Sequence, residues 1–290
     1  MTAHQRVLYW RVIHRDFSLD EAVISRVVRP VMSHHCPAGN WHYLRYFDER
    51  GPHIRVRVFT ESASDEKLLH DRVTSDLEQG LISVLDSLQA SDHRQAGLIG
   101  ATHLPLPSTR DAGVHISLYE PEEQKYGGPD GLRIAEEIWN ASTQEAVGHL
   151  DPAWTPESRF LHAAGDAYLA TVRFFGSDFQ AIRSFWTGYA KFWSGGDQNQ
   201  LAELPQSVVL QNLIPALDDV VRTRSGSDSS WPERLAQMCQ GDPMQLNHQV
   251  HLHNNRLGVG PEDEAALGVL ILLVHRARAA GPASGESESE

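Results

Sequence analysis

The N-terminal part of the chain alternates hydrophobic and polar positions with the two-residue period of a β-sheet. Residues 6–14 are rich in β-branched and aromatic side chains and predict a first strand. Residues 41–47 and 53–59 show the same alternation and are joined by the turn sequence DERGP, which predicts an antiparallel hairpin with Gly51 in its turn. Residues 113–120 predict one more strand.

Elsewhere the hydrophobic positions recur every three or four residues, which predicts amphipathic helices. The segment 18–35 has Ser18 at its start and Glu21 three residues later, the pattern of a capping box, and Pro30 predicts an end or a kink. A second helix is predicted over 64–89. Further helices are predicted over 132–148, 177–195, 204–224, 229–240, 243–258 and 261–280.

Strands therefore dominate the first half of the chain and helices the second. This order predicts an α+β fold, with an antiparallel hairpin or meander sheet in the N-terminal half and a largely helical C-terminal half. The chain lacks a βαβ rhythm and a GxGxxG turn after a strand, so a nucleotide fold is not indicated. We expect one domain over residues 1–280 and a disordered tail over 281–290, because that tail is small, polar and acidic.

The net charge limits the classes of partner. With 38 acidic and 25 basic residues, the formal charge of −13 argues against direct nucleic-acid binding, so any positive patch must be local. Cys36 and Cys239 match no metal or redox spacing and are expected to be reduced thiols. The N-terminus has no signal-peptide pattern and the apolar run 265–275 is too short to span a bilayer, so we expect a cytoplasmic protein without a membrane partner.

The first candidate site is the strand sequence GPHIRVRVF, residues 51–59. Alternation places His53, Arg55 and Arg57 on one face of this strand. Two guanidinium groups at this spacing are able to clamp carboxylates. A solvated strand face has the same pattern, so the stretch alone leaves both interpretations open.

The second candidate is the loop YEPEEQKYGGP, residues 119–129. Glu122 and Lys125 lie three residues apart, and tyrosines flank them at 119 and 126. The following double glycine permits backbone conformations that allow close approach to a substrate. The alternative is an ordinary solvated turn before a helix.

The third candidate is NHQVHLHNNRLG, residues 247–258. On a helix, His248, His251 and Asn255 share a face with Arg256 beside them, whereas His253 points elsewhere. The histidines have no partner ligand at a familiar metal spacing, so we predict no metal site there. A histidine acting as general acid or base and a histidine without a catalytic role both fit the segment.

Taken together and in order, these stretches resemble a known family. The runs NWHYLRYFDERGPHIRVRVF, YEPEEQKYGGPDG and VHLHNNRLG are similar to the C-terminal domain of lantibiotic dehydratases, which also occurs as stand-alone proteins in thiopeptide biosynthesis. The resemblance covers about residues 8–278. It implies that the domain eliminates glutamate from glutamylated Ser or Thr in a ribosomal precursor peptide, leaving dehydroalanine or dehydrobutyrine.

The resemblance also implies roles for individual residues. It gives catalytic roles to four side chains and substrate-binding roles to four others. The catalytic set is Arg55, Arg57, Glu122 and His251, and the substrate-binding set is Lys125, Tyr126, Asn255 and Arg256. Lys125 departs from the arginine that the family often has before its YGG motif, so a bidentate carboxylate contact is lost at that position.

The implied partners are the glutamylated precursor peptide and a separate glutamylation subunit of the dehydratase, and no cofactor is implied. Related stand-alone proteins catalyse a formal [4+2] cycloaddition of two dehydroalanines instead, which makes a thiopeptide pyridine synthase the first alternative. A non-catalytic scaffold that binds a peptide or a partner enzyme is the second. The arginine pair, the Glu122–Lys125 pair and His251 favour a lyase, because β-elimination needs both anion stabilisation and proton transfer.

Overall fold

The computed structural model describes residues 6–14, 16–60, 63–87, 112–150, 154–225, 231–239 and 241–280. In these residues four strands form one antiparallel sheet in the order β2-β3-β1-β4, and helices make up most of the remainder. The strands are β1 (Arg6–Ile13), β2 (Trp41–Asp48), β3 (Gly51–Thr60) and β4 (Gly113–Ile116). The predicted α+β class is confirmed. The tail predicted to be disordered, 281–290, lies outside the described residues.

The predicted hairpin is confirmed, with β2 and β3 paired from Trp41↔Val58 to Asp48↔Gly51. Gly51 has a φ of 106°, a conformation that side chains with a Cβ rarely adopt, which explains a glycine at this turn. Strand β4 is shorter than the predicted 113–120. After the N–H of Ser117 donates to the carbonyl oxygen of Tyr9, the chain leaves the sheet.

The helices are numbered α1 to α11 along the chain. They are α1 (Asp20–Val23), α2 (Arg29–His35), α3 (Ala63–Ser87), α4 (Pro129–Gly148), α5 (Pro156–Phe175), α6 (Phe179–Trp193), α7 (Gln198–Glu203), α8 (Val208–Arg224), α9 (Trp231–Met238), α10 (Pro243–Leu257) and α11 (Pro261–Ala280). No helix in the described ranges is both long enough and apolar enough to cross a membrane.

The capping box predicted at Ser18 and Glu21 is wrong. The side chain of Asp16 accepts a hydrogen bond from the Ser18 N–H at 2.8 Å, so the cap lies two residues earlier and begins a short 3₁₀ turn. Helices α1 and α2 are joined by a π-helical segment, Ile24–Val28. The chain passes Pro30 in a helical conformation, with the proline in the first turn of α2, where a missing N–H is tolerated.

Two large hydrophobic cores hold the molecule together. One face of the sheet packs against helices α1 to α3 and buries Ile54, Val56 and Val58 completely. The second core lies within the helical half, around α5, α6, α8 and α11. A small cluster made by Tyr126, Trp139 and their neighbours lies where α4 meets α10. The opposite face of the sheet, which carries the arginines, is directed toward this junction.

Candidate functional site

Strand β3 separates its charged side chains from its core side chains as the sequence predicts. His53 is buried beneath Tyr46, and its Nδ1 lies 3.0 Å from the carbonyl oxygen of Gly51. Burial lowers the pKa of His53. The guanidinium of Arg55 lies 3.2 Å from the centre of the Tyr46 ring, and its Nε lies 3.5 Å from His53 Nε2. His53 therefore supports Arg55 from below.

Arg57 lies between two tyrosine rings. Its guanidinium carbon is 4.9 Å from the Tyr9 ring centre and 4.8 Å from the Tyr119 ring centre. His42 is its directly paired residue on β2 and is 1 % exposed. Burial first, and then the positive charges of Arg57 and Arg256, hold the pKa of His42 well below its usual value. His42 is thus a neutral imidazole beside two cations.

The loop after β4 brings the second predicted motif beside this face. The Tyr119 hydroxyl donates to Glu136 Oε1 at 3.2 Å, and burial raises the pKa of Glu136. Lys125 Nζ lies 3.3 Å from Glu122 Oε2, and both side chains are well exposed. The double glycine after Tyr126 has positive φ angles of 80° and 98°, so these positions favour glycine.

Tyr126 connects this loop to helix α10. Its hydroxyl lies 2.8 Å from His248 Nε2. Burial, together with the nearby charge of Glu122, raises the pKa of Tyr126, whereas burial and then the charge of Lys125 lower the pKa of His248 to about 3. Both groups are therefore neutral near pH 7, and the tyrosine O–H donates to the histidine nitrogen.

Arg256 is completely buried behind this junction. Its Nη1 donates to Ser142 Oγ at 3.1 Å and to the Leu252 carbonyl oxygen at 3.0 Å. Its Nε and Nη2 have no hydrogen-bond partner in the described part of the chain. Burial lowers its pKa to about 9, so the side chain is still a cation at neutral pH. A buried charge without an anion costs on the order of several kcal/mol, which favours an electrostatic role.

Asn255 is engaged with the edge of the sheet. Its Oδ1 accepts from the Arg45 N–H at 3.0 Å, and its Nδ2 donates to the Arg45 carbonyl oxygen at 3.0 Å. The side-chain amide thus pairs with the open edge of β2 as another strand would. The predicted substrate-binding role of Asn255 stays a prediction, and its amide has this structural contact in addition.

His251 lies on the same side of α10 as His248 but belongs to a second network. Its Nδ1 is 2.8 Å from Oε1 of the buried Glu264, and its ring stacks on Trp193 with centres 4.4 Å apart. Its side chain is 22 % exposed. His253 points away from this face, as the helical spacing predicts, and lies in the core between Ser142, Asp166 and Trp231.

Three arginines of the candidate site form no salt bridge with any described residue. No described carboxylate lies within salt-bridge distance of Arg55, Arg57 or Arg256. By contrast, many arginines elsewhere are paired. These are Arg6, Arg11, Arg45, Arg133, Arg159, Arg173, Arg222, Arg224 and Arg278. In a chain with a net charge of −13, three guanidinium groups left without carboxylates mark a place suited to an external anion.

One set of side chains has the spacing of a metal site. Ligand atoms of Glu145, His149 and His162 all lie within 4.8 Å of one another. The guanidinium of Arg224 lies among the same atoms, 2.8 Å from His162 Nε2 and 2.9 Å from Glu145 Oε1. The positive charge of Arg224 already compensates the negative charge of Glu145. The cluster shares no residue with the predicted site.

The structure brings some of the predicted residues together and keeps others apart. The charges of Glu122, Arg256 and Arg57 all act on the Tyr126 hydroxyl, so these four side chains form one cluster with Lys125 at its rim. No hydrogen bond or ring contact joins Arg55 or His251 to Arg57 in the described residues. His248 lies on the turn of α10 before His251, and the charge of His251 contributes to the lowered pKa of His248.

Several neighbours were missed by sequence reasoning. The contact of His42 with Arg57 was predictable from the sequence, because counting residues outward from the DERGP turn places His42 opposite Arg57. Glu136 and Glu264 had no such signal. Glu136 on α4 meets Tyr119 from the loop after β4, and Glu264 on α11 meets His251 from α10, so only tertiary packing brings these pairs into contact.

The α+β fold, with arginines on one face of its sheet, defines a class of protein, and the comparisons give its family. The family model described as "Lantibiotic biosynthesis dehydratase C-term" matches residues 8–274, so the chain belongs to this family, as the sequence resemblance indicated. A search of the curated proteins found no match.

Solved structures share the fold at low sequence identity. The chain is similar to the pyridine synthase TbtD from thiomuracin biosynthesis, at 18 % identity and a TM-score of 0.66, with 95 % of this chain and 98 % of that chain covered. It is similar to TsrL, at 18 % identity and a TM-score of 0.59, with 96 % and 95 % covered. It is also similar to the tRNA-dependent lantibiotic dehydratase MibB from Microbispora sp. 107891, at 17 % identity and a TM-score of 0.52, with 97 % of this chain but 28 % of MibB covered.

Proposed function

We propose that this protein is a lyase that eliminates glutamate from glutamylated Ser or Thr residues of a ribosomal precursor peptide. It would act as the elimination subunit of a split, tRNA-dependent dehydratase and produce dehydroalanine or dehydrobutyrine. A separate subunit is proposed to attach the glutamate, because the net charge of −13 does not favour direct tRNA binding by this chain.

The observation that carries this proposal is the group of arginines without carboxylate partners. The departing glutamate is an anion, and so is the enolate that forms when the peptide Cα proton is removed. Arg57, whose guanidinium lies between the Tyr9 and Tyr119 rings, is proposed to bind a carboxylate, and the buried Arg256 is proposed to add positive potential. Preorganised donors of this kind contribute about 3–4 kcal/mol each to the stabilisation of a transition state.

The remaining predicted residues supply proton transfer and substrate contacts. In the reaction, a base takes the proton from Cα, the Cα–Cβ double bond forms, and the Cβ–O bond breaks with its electron pair leaving on glutamate. His251 is the proposed proton carrier, since its Nδ1 contacts Glu264 and its side chain is 22 % exposed. Glu122 and Lys125, which are exposed at the rim, are proposed to contact the peptide.

The second candidate is a pyridine synthase that joins two dehydroalanines. It is favoured by one observation, the similarity of the fold to that of the pyridine synthase TbtD, with a TM-score of 0.66 over 95 % of this chain. Orienting two neutral dehydroalanines does not explain three unpaired guanidinium groups, so elimination remains the preferred function.

One experiment separates the two candidates. The pure protein is incubated with a glutamylated precursor peptide and, separately, with a fully dehydrated one, and both are followed by mass spectrometry. Elimination predicts loss of glutamate from the first peptide and no change in the second. Cyclisation with expulsion of the leader from the dehydrated peptide supports the pyridine synthase instead. If neither peptide changes but either one binds, the non-catalytic scaffold is supported.

A further inference from the structure

Glu264 lies on the first turn of α11 and is fully buried, with both carboxylate oxygens engaged. Its Oε1 faces His251 Nδ1 at 2.8 Å. Its Oε2 accepts from Asn254 Nδ2 at 2.9 Å and from the Tyr189 hydroxyl. No described Lys or Arg lies within salt-bridge distance of this carboxylate, so His251 is its one basic partner in the described residues.

Close packing of helices α6 and α11 makes this arrangement possible. A Cβ added to Gly268, one turn after Glu264, would lie 3.2 Å from the Cβ of Ala190, so the two helices touch at small residues. Their approach brings the hydroxyl of Tyr189 to Glu264. It also brings Trp193 to the face of the His251 ring, with an interplanar angle of 29°.

The surroundings of His251 leave its ring a single orientation. Trp193 fixes the plane of the ring, and Glu264 fixes its rotation within that plane. Asn254 and Tyr189 both donate to the other oxygen of Glu264. An ionised Glu264 then accepts at both oxygens, and in that arrangement the nitrogen that faces it carries the proton. His251 Nε2 then holds the lone pair, and no described residue forms a hydrogen bond with it.

We infer that Glu264 is a positioning residue that holds the Nδ1–H tautomer of His251 and thereby makes Nε2 the base of the reaction. The inference rests on the proposed function for the catalytic role of His251, but the tautomer itself is a property of the free protein. When Nε2 takes the Cα proton, the ring becomes a cation next to the Glu264 carboxylate. The proton is thus transferred without leaving an unpaired charge inside the protein.

The first test is spectroscopic and needs no substrate. Imidazole ¹⁵N shifts of labelled protein, assigned to His251 by their loss in His251→Asn, report which nitrogen carries the proton. We expect a protonated Nδ1 and an unprotonated Nε2 near neutral pH in the wild type. A wild-type His251 with its proton on Nε2 would overturn the inference, whatever the variants do.

The second test is kinetic and uses Glu264→Gln. The amide of the substituted side chain is able to donate an N–H to His251 Nδ1. The imidazole proton then lies on Nε2, which no longer acts as a base. We expect kcat for glutamate release to fall on the order of 10²- to 10⁴-fold, with KM nearly unchanged and the ¹⁵N pattern altered. Tyr189→Phe removes a donor to Glu264 but keeps the carboxylate, so we expect it to retain the tautomer and lose less than about tenfold.

Glu157→Gln is the matched control, because Glu157 is an exposed residue in the first turn of α5. It should retain wild-type kinetics. Wild-type kcat in Glu264→Gln would contradict the positioning role. If the wild-type protein releases no glutamate at all, the proposed function fails, while the tautomer measurement still decides the role of Glu264. If Glu264→Gln does not fold, the role of Glu264 is decided by the ¹⁵N shifts of His251 in the wild type and in Tyr189→Phe.

Discussion

His42 and Arg57 lie directly opposite each other on neighbouring strands, and the imidazole is buried while the arginine reaches the rim. Because the histidine is neutral in this position, it adds no positive charge behind Arg57 and competes for no anion. Arg57 is therefore the one cation of this pair. The uncharged surface beside it includes Trp139, whose ring centre is 5.1 Å from that of His42.

Replacing Arg57 should change the titration of His42. The charge of Arg57 disfavours the protonated imidazole, so Arg57→Gln should raise the pKa of His42, although burial still keeps that pKa below 6.5. NMR titration of the His42 ring measures this. Arg133→Gln, which removes an exposed and paired arginine, should leave the pKa unchanged. A fall in the pKa of His42 in Arg57→Gln would contradict the described geometry.

His248 should make the protein less stable in acid. Its pKa is about 3 in the folded protein and near 6.5 when exposed, so unfolding takes up a proton between these values and stability falls as the pH falls through this window. Between pH 7 and pH 5 the loss from this group is about 2 kcal/mol. Urea unfolding of His248→Gln should show a correspondingly smaller difference between the two pH values. An equal difference in variant and wild type would disprove the assignment.

Gly131 should tolerate no side chain. A Cβ there would lie 1.6 Å from the carbonyl oxygen of Tyr126, so Gly131→Ala must displace the loop that carries Tyr126. We expect the free energy of unfolding to fall by about 1–3 kcal/mol and the Tyr126–His248 contact to be lost. Gly148→Ala, at the other end of the same helix, meets nothing within 4 Å and should be neutral or slightly stabilising. Equal thermal midpoints for the two variants would refute the prediction.

Asn255 should contribute to stability through the edge of β2. Asn255→Ala removes both hydrogen bonds to the backbone of Arg45, and we expect a loss of about 1–3 kcal/mol in urea unfolding. Asn255→Asp keeps the acceptor but not the donor, so it should lie between wild type and Asn255→Ala. If stability is unchanged but KM rises, Asn255 binds substrate and the edge contact is incidental.

Local sequence patterns predicted those features that depend on short-range geometry. The β2–β3 hairpin, the separation of Arg57 from Val56 and the separation of His253 from the face of His251 all follow from the periods of strands and helices. The cap at Asp16 was missed because neighbouring polar residues compete for the same backbone donors. The contact between His251 and Glu264 depends on the packing of three helices, which no local pattern encodes.

The central claim is that Arg57 binds the carboxylate that leaves the peptide, and the rate of glutamate release tests it most directly. Wild type, Arg57→Lys and Arg57→Ala are compared on the same glutamylated peptide, with Arg133→Ala as the control for loss of an exposed arginine. The account predicts that Arg57→Ala is slower by about 10²- to 10³-fold, that Arg57→Lys is intermediate and that Arg133→Ala equals the wild type. Glutamate release at the wild-type rate by Arg57→Ala would contradict it.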